Sequence, residues 1–103
     1  MSSPADPAPV LVRFFAAAQA SAGVAQTTVH WQQLDHDGAV ATLGALQRQL
    51  LAAYPTSASP HAPALSVVFA QSSFLINGRA TRDQTTVLSP GAEVDILPPF
   101  AGG

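Results

Sequence analysis

The chain holds 103 residues, 48% of them hydrophobic and 10% charged, with a formal net charge of −2. That suits one domain with a modest core and offers no basic face for nucleic acid, whose recognition requires cations that displace phosphate counterions. Cysteine is absent and the basic residues are Arg13, Arg48, Arg79 and Arg82, which excludes disulfides, thiolate chemistry, lysine Schiff bases and a lysine-bearing phosphate loop.

Residues 1–9, rich in Ser, Pro and Ala, read as a disordered leader. They carry neither a basic residue nor an apolar run, so they do not read as a signal peptide. No stretch approaches the ~18 apolar residues of a membrane span, and a cytoplasmic domain with no membrane contact is expected. Residues 10–15 alternate, with Val10, Val12 and Phe14 on one face and Leu11, Arg13 and Phe15 on the other, and predict a first strand. Residues 16–22 are alanine-rich and predict a short helical turn closed by Gly23. Residues 27–31 predict a second strand.

Residues 35–38 form a polar loop. Beyond it Val40, Leu43, Leu46, Leu50, Leu51 and Tyr54 recur near helical spacing. Thr42 is the first choice of N-cap and Asp37 the second, and Pro55 ends this one main helix. Residues 55–63, with their serines and prolines, read as a mobile insertion. Residues 66–70 and 73–77 both read as strands. Asn77-Gly78 is the preferred pair for a tight hairpin turn with positive φ at both positions, and residues 79–82 return from it. Pro90-Gly91 fits the centre of a type II turn. Residues 93–97 predict a last strand with Val94 and Ile96 inward and Glu93 and Asp95 outward. Two opening strands, a helix and several short strands describe an α+β roll.

The last strand runs into Pro98-Pro99-Phe100-Ala101-Gly102-Gly103. Prolines cannot donate to a strand ladder, so pairing ends at Pro98 and Pro99, and they favour an extended segment that holds the last four residues away from the body. The four residues after Pro99 reach about 13 Å at most. Two glycines without side chains can pass through a channel too narrow for other residues, delivering a carboxylate at the tip.

These features resemble the MoaD-like small subunit of molybdopterin synthase, one of the ubiquitin-like sulfur carriers. The likeness rests on Val12-Arg13-Phe14-Phe15-Ala16, on Thr42-Leu43-Gly44-Ala45-Leu46, and on the run from Ile76-Asn77-Gly78 through Pro90-Gly91-Ala92-Glu93-Val94 to the closing Gly-Gly. It departs from the family pattern in a longer leader, an expanded segment around residues 35–39 and the insertion at 55–63. The resemblance implies a β-grasp fold, a mixed sheet packed against one main helix, spanning residues 10–97, with 98–103 as an extended tail.

It also implies a chemical cycle. An activating enzyme uses ATP to join the terminal glycine to AMP, a sulfur donor displaces AMP, and the resulting thiocarboxylate enters the large synthase subunit to help build the dithiolene that holds molybdenum. On this chain the reactive position is then Gly103, with Gly102 its slender neighbour. Pro98 and Pro99 aim the tail, and Phe100 and Ala101 line the tunnel entrance. The carrier binds no cofactor or metal of its own and is not catalytic alone. Phe74 and Leu75 are candidates for an apolar contact surface, and Glu93 and Asp95 for an acidic patch that steers the activating enzyme. Carriers for thiamine or cysteine biosynthesis share the Gly-Gly end, and a β-grasp interaction module without acyl chemistry is the alternative from another class. His30, His36 and His61 are widely spaced and read as surface histidines.

Overall fold

The alternation at the start of the chain becomes β1 (Val10–Phe14), in which Val10, Val12 and Phe14 are buried while Leu11 and Arg13 are half-buried on the opposite face. In the computed structural model, residues 7–35 and 38–99 are described. The leader as far as residue 6, His36, Asp37 and the tail residues Phe100, Ala101, Gly102 and Gly103 lie outside them.

After β1 the chain reverses at Ala16 into α1 (Ala17–Ala22), which closes at Gly23 with a left-handed φ of 82°. A β-carbon at Gly23 would stand 2.7 Å from that of Ala58, so only glycine fits. The Ala58 N–H in turn donates to the Ser21 carbonyl oxygen at 2.8 Å. This bond ties the middle of residues 55–63, read from the sequence as a mobile insertion, to the end of α1.

β2 (Gln26–Val29) comes next, antiparallel to β1. It stops short of the expected residue 31, because Trp31 already begins a single 3-10 turn, Trp31–Gln33. The main helix, α2 (Leu43–Ala53), starts at Thr42, whose Oγ1 accepts from the Ala45 N–H at 3.1 Å. Val40, expected among the helix positions, precedes the helix and is 56% exposed. Leu43, Leu46 and Leu50 turn into the core. Truncating the cap, Thr42→Ala, is expected to cost about 1 kcal/mol of stability, read as a lower urea midpoint at unchanged slope.

Residues 66–70, expected as a strand, belong instead to a third helix, α3 (Leu65–Gln71). The physical reason is the placement of the apolar residues: Leu65, Val68 and Phe69 are buried at helical spacing while Ser66 and Val67 are exposed. Ser72 Oγ donates to the Val68 carbonyl oxygen at 2.7 Å, which satisfies a polar group at the helix end. A short run of β-branched and aromatic residues reads as a strand when only composition is weighed. The α1 helix packs on α3, so the two short helices bury one another.

β3 (Ser73–Ile76) and β4 (Arg79–Thr81) form the expected hairpin, with Asn77 at φ 51° and Gly78 at φ 85°. Asn77 also ties the turn to the next strand: its Oδ1 accepts from the Glu93 N–H at 2.9 Å, and its own N–H donates to the Glu93 carbonyl oxygen at 2.8 Å. The loop beyond β4 is held by Asp83. The Thr85 hydroxyl and N–H both donate to its Oδ1, at 2.6 and 2.9 Å, and hold its carboxyl below the ordinary range. Gly91 at φ 77° and an Ala92 N–H to Ser89 carbonyl bond of 3.1 Å close the Pro90-Gly91 turn. β5 (Glu93–Leu97) completes the sheet.

The strand order is β2-β1-β5-β3-β4, with β1 and β5 parallel and the other neighbours antiparallel. The two ends of the chain's fold thus meet in the middle of the sheet. One sheet face carries Val12, Phe14, Phe74, Val94 and Ile96 into a core shared with Leu43, Leu46, Leu50 and Leu65. This is the β-grasp arrangement. No described helix is long and apolar enough to cross a membrane.

Candidate functional site

The face of the sheet opposite the core is built by the same alternation in reverse. Arg13 lies opposite Asp95, and Asp95 lies opposite Leu75, which lies opposite Ala80. One row toward the start of β5, Leu11 lies opposite Glu93. One row toward its end, Leu97 lies opposite Ser73. The Phe15 N–H continues the parallel ladder by donating to the Ile96 carbonyl oxygen at 3.3 Å. Phe15 is therefore carried to the same end of the sheet as Leu97.

The centre of this face is an ion-pair cluster. Arg13 Nε donates to Asp95 Oδ1 at 2.6 Å and its Nη2 to Glu93 Oε1 at 2.9 Å. Asp95, by hydrogen bond and charge, raises the guanidinium pKa above its ordinary value, and Glu93 adds to it. Glu93 and Asp95, expected as an acidic patch, thus share this face with Arg13 as a three-group cluster of net charge −1. Its negative charges are half committed within the chain. Glu93 has the more exposed side chain, 54% against 20% for Asp95, and is the carboxylate better placed to meet an outside cation.

Around that cluster the face is apolar. Leu11, Leu75 and Leu97 are half-buried, and Phe15 is 41% exposed. Leu75 thus lies on this open face. Phe74 does not. It is 2% exposed, on the core side of β3, with its ring edge-on to Phe69 at 5.6 Å. Adjacent strand positions point to opposite faces, so a pair such as Phe74-Leu75 cannot both serve one surface.

Phe15 and Leu97 are surface residues that sequence reasoning misses, although the alternation already puts Phe15 on the Arg13 face. Ala16, directly after Phe15, holds φ 50° and ψ −124°, a conformation costly for a residue with a β-carbon by about 1–3 kcal/mol. That corner turns β1 into α1 beside an exposed aromatic ring.

The tail leaves from this end of the sheet. β5 stops at Leu97, Pro98 is half-buried and Pro99 is exposed. Neither proline has an N–H to offer a neighbouring strand. The carboxyl-terminal positions expected to carry the chemistry, Gly102 and Gly103, and the expected tunnel-lining pair, Phe100 and Ala101, lie outside the described residues. A recess of about 530 Å3 lined by Ile76, Asn77, Arg79, Thr81 and Val87 opens at the β3–β4 hairpin, toward the start of β5 rather than its end. Among the described residues no three His, Asp or Glu side chains gather into a group able to hold a metal ion. His30 and His61 are both exposed.

Comparison with known proteins adds a family. A family model described as the ThiS family matches residues 12–103, nearly the whole chain. No curated protein matches in sequence. Among solved structures the chain is similar to small archaeal modifier protein 1 of Haloferax volcanii, at 24% identity and TM-score 0.65, covering 92% of this chain and 99% of that one. It is similar to the modifier protein 1 of Methanosarcina acetivorans, at 21% identity and TM-score 0.62, covering 94% and 98%. A putative molybdopterin converting factor subunit 1 from Pyrococcus furiosus matches at 19% identity and TM-score 0.61, covering 90% and 99%. Identities this low speak to the fold, which they share.

Proposed function

Because the chain belongs to the ThiS family, we propose that it is a sulfur carrier and the small subunit of a molybdopterin synthase. Its carboxyl end is activated and loaded with sulfur, and the open sheet face serves as the docking surface for the enzymes it visits. The observation that carries this reading is the family match over residues 12–103, which takes in β5 and the tail alike.

The chemistry is set by the tail. A carboxylate is a poor acyl donor because oxide is a hopeless leaving group. An activating enzyme transfers AMP from ATP to the terminal carboxylate, releasing pyrophosphate, and the adenylate then accepts a sulfur nucleophile with loss of AMP. The thiocarboxylate enters the large subunit, which holds the pterin precursor, and sulfur passes across. Two loaded carriers serve each dithiolene, since it contains two sulfurs. ATP is used by the activating enzyme and not held by the carrier.

Placing the tail root beside Phe15 and Leu97 means that a partner gripping the sheet also aligns the tail with its own channel. A patch of half-buried leucines and one exposed phenylalanine around a charge cluster suits a partner surface with an apolar centre and a cation facing Glu93. Phe15→Ala is expected to weaken the complex with the activating enzyme about tenfold, in the range of a moderate interface anchor. Its unfolding midpoint stays within the small range of surface substitutions. Calorimetric titration and a urea melt of the same variant check both halves.

The direct test is intact-mass spectrometry after incubation with an activating enzyme, ATP and a sulfur source. The expected product carries one sulfur in place of one oxygen, located to Gly103. A chain whose mass never changes under these conditions refutes the carrier reading. The resemblance to small archaeal modifier proteins supports a second reading, in which the activated end is joined to amines of other proteins. Supplying the thiocarboxylate to the synthase large subunit with precursor, and separately to a mixture of lysine-bearing proteins, separates the two.

A further inference from the structure

An activated glycine is a hazard to the chain that bears it. A neutral primary amine within reach forms a C–N bond to the glycine carbonyl carbon, the C–O or C–S bond to the leaving group breaks, and the amine proton passes to water. The basic groups near the tail root therefore decide whether the loaded form survives.

Two are placed there. Arg13 stands on the strand next to β5, engaged with Asp95 and Glu93. Arg82 comes directly after Thr81, which lies opposite Phe74, itself opposite Ile96. Its Nη2 donates to the Gln71 carbonyl oxygen at 3.4 Å, at the end of the sheet where Ser73 lies opposite Leu97. Two strand spacings, about 10 Å, separate this position from Leu97. The six residues of 98–103 span up to about 20 Å when extended, so the tip can reach it.

Both groups are guanidiniums, and the 103 residues hold four arginines and no lysine, so no side chain carries a primary amine. A guanidinium stays protonated to beyond pH 12 and has no free lone pair. Lysine at the same position supplies the same charge with an amine that is neutral a fraction of the time. Resting on the carrier reading above, the geometry points to a self-inert acyl donor. Charge is kept beside the tail by arginine, so no side chain of this sequence takes the loaded end, and a protein acceptor that receives one copy gains from it no lysine at which a second could be joined.

The test bypasses the activating enzyme, so that it can fail without the carrier reading failing. The full chain is released from an intein fusion by mercaptoethanesulfonate, which leaves a thioester on Gly103, and is held at mildly alkaline pH. The parent is expected to end as the free carboxylate alone. Arg82→Lys is expected to convert to a product one water lighter than that acid, at a rate independent of protein concentration. Peptide mapping should place the new amide at residue 82. Any amide-linked product of the parent overturns the proposal, and so does an Arg82→Lys thioester as inert as the parent's.

Discussion

A chain carrying one additional alanine after Gly103 is expected to take up no sulfur, while unfolding at the same urea concentration as the parent. Two features set this expectation. The buried residues of β5 end at Ile96, and Leu97 and Pro98 are only half-buried, so the core of the described residues ends well before the added alanine. The proposed chemistry, by contrast, acts on one carbonyl carbon. The added residue moves the carboxylate on by about 3.5 Å and puts a β-carbon where glycine left none. Positioning errors of about 1 Å at a reacting centre already cost on the order of a hundredfold in rate. Intact mass after exposure to activating enzyme, ATP and sulfur source, with a parallel melt, reads both halves. Sulfur uptake at the parental rate sinks the assignment of Gly103, and an interaction module without acyl chemistry is then the better account.

Phe14→Ala is expected to have the largest effect on stability, about 3–5 kcal/mol, the usual range for removing a buried aromatic ring. Phe14 is 2% exposed at the centre of the sheet, opposite Ile96, and its ring meets that of Tyr54 edge-on at 5.7 Å. It therefore joins the central parallel strand pair to the end of α2. Deleting it leaves a void that neither the sheet nor a helix anchored at Thr42 can collapse into. For a domain whose total stability is about 5–15 kcal/mol, the loss is a large part of the whole. Equilibrium urea unfolding checks it, and a midpoint shift no larger than that of Thr42→Ala contradicts the account. Phe15→Ala, one residue along, is the instructive contrast: the same residue type faces solvent, so its cost belongs to binding.

Several parts of this protein are legible in the residue order because they depend on near neighbours alone. Alternation over residues 10–14 and 93–97 is a property of the extended backbone, whose side chains point to opposite faces in turn. The Thr42 cap, the Asn77-Gly78 turn and the Pro90-Gly91 turn each rest on the conformational limits of two or three residues. The proline pair that ends β5 acts through a missing N–H. The resemblance to the sulfur carriers comes from the same local signals taken together, and the family match agrees with it.

What the order of residues leaves undecided is decided by contacts between distant segments. Residues 65–71 carry side chains that suit a strand, yet packing of Leu65, Val68 and Phe69 into the core and against α1 makes them a helix. Local preference is worth tenths of a kcal/mol per residue, and burial of an aromatic ring outweighs it. Composition reads residues 55–63 as a mobile insertion and gives no sign that Ala58 is seated at Gly23, in a distant part of the chain. Most consequentially, the charges on Glu93 and Asp95 are visible in the residue order, but not the guanidinium that answers them. Arg13 is 80 and 82 positions away, and only the parallel pairing of β1 with β5 sets it beside both carboxylates. Sequence could supply the two faces of each strand; which strands lie side by side, and so which charges meet, is a matter of long-range pairing that no short window contains.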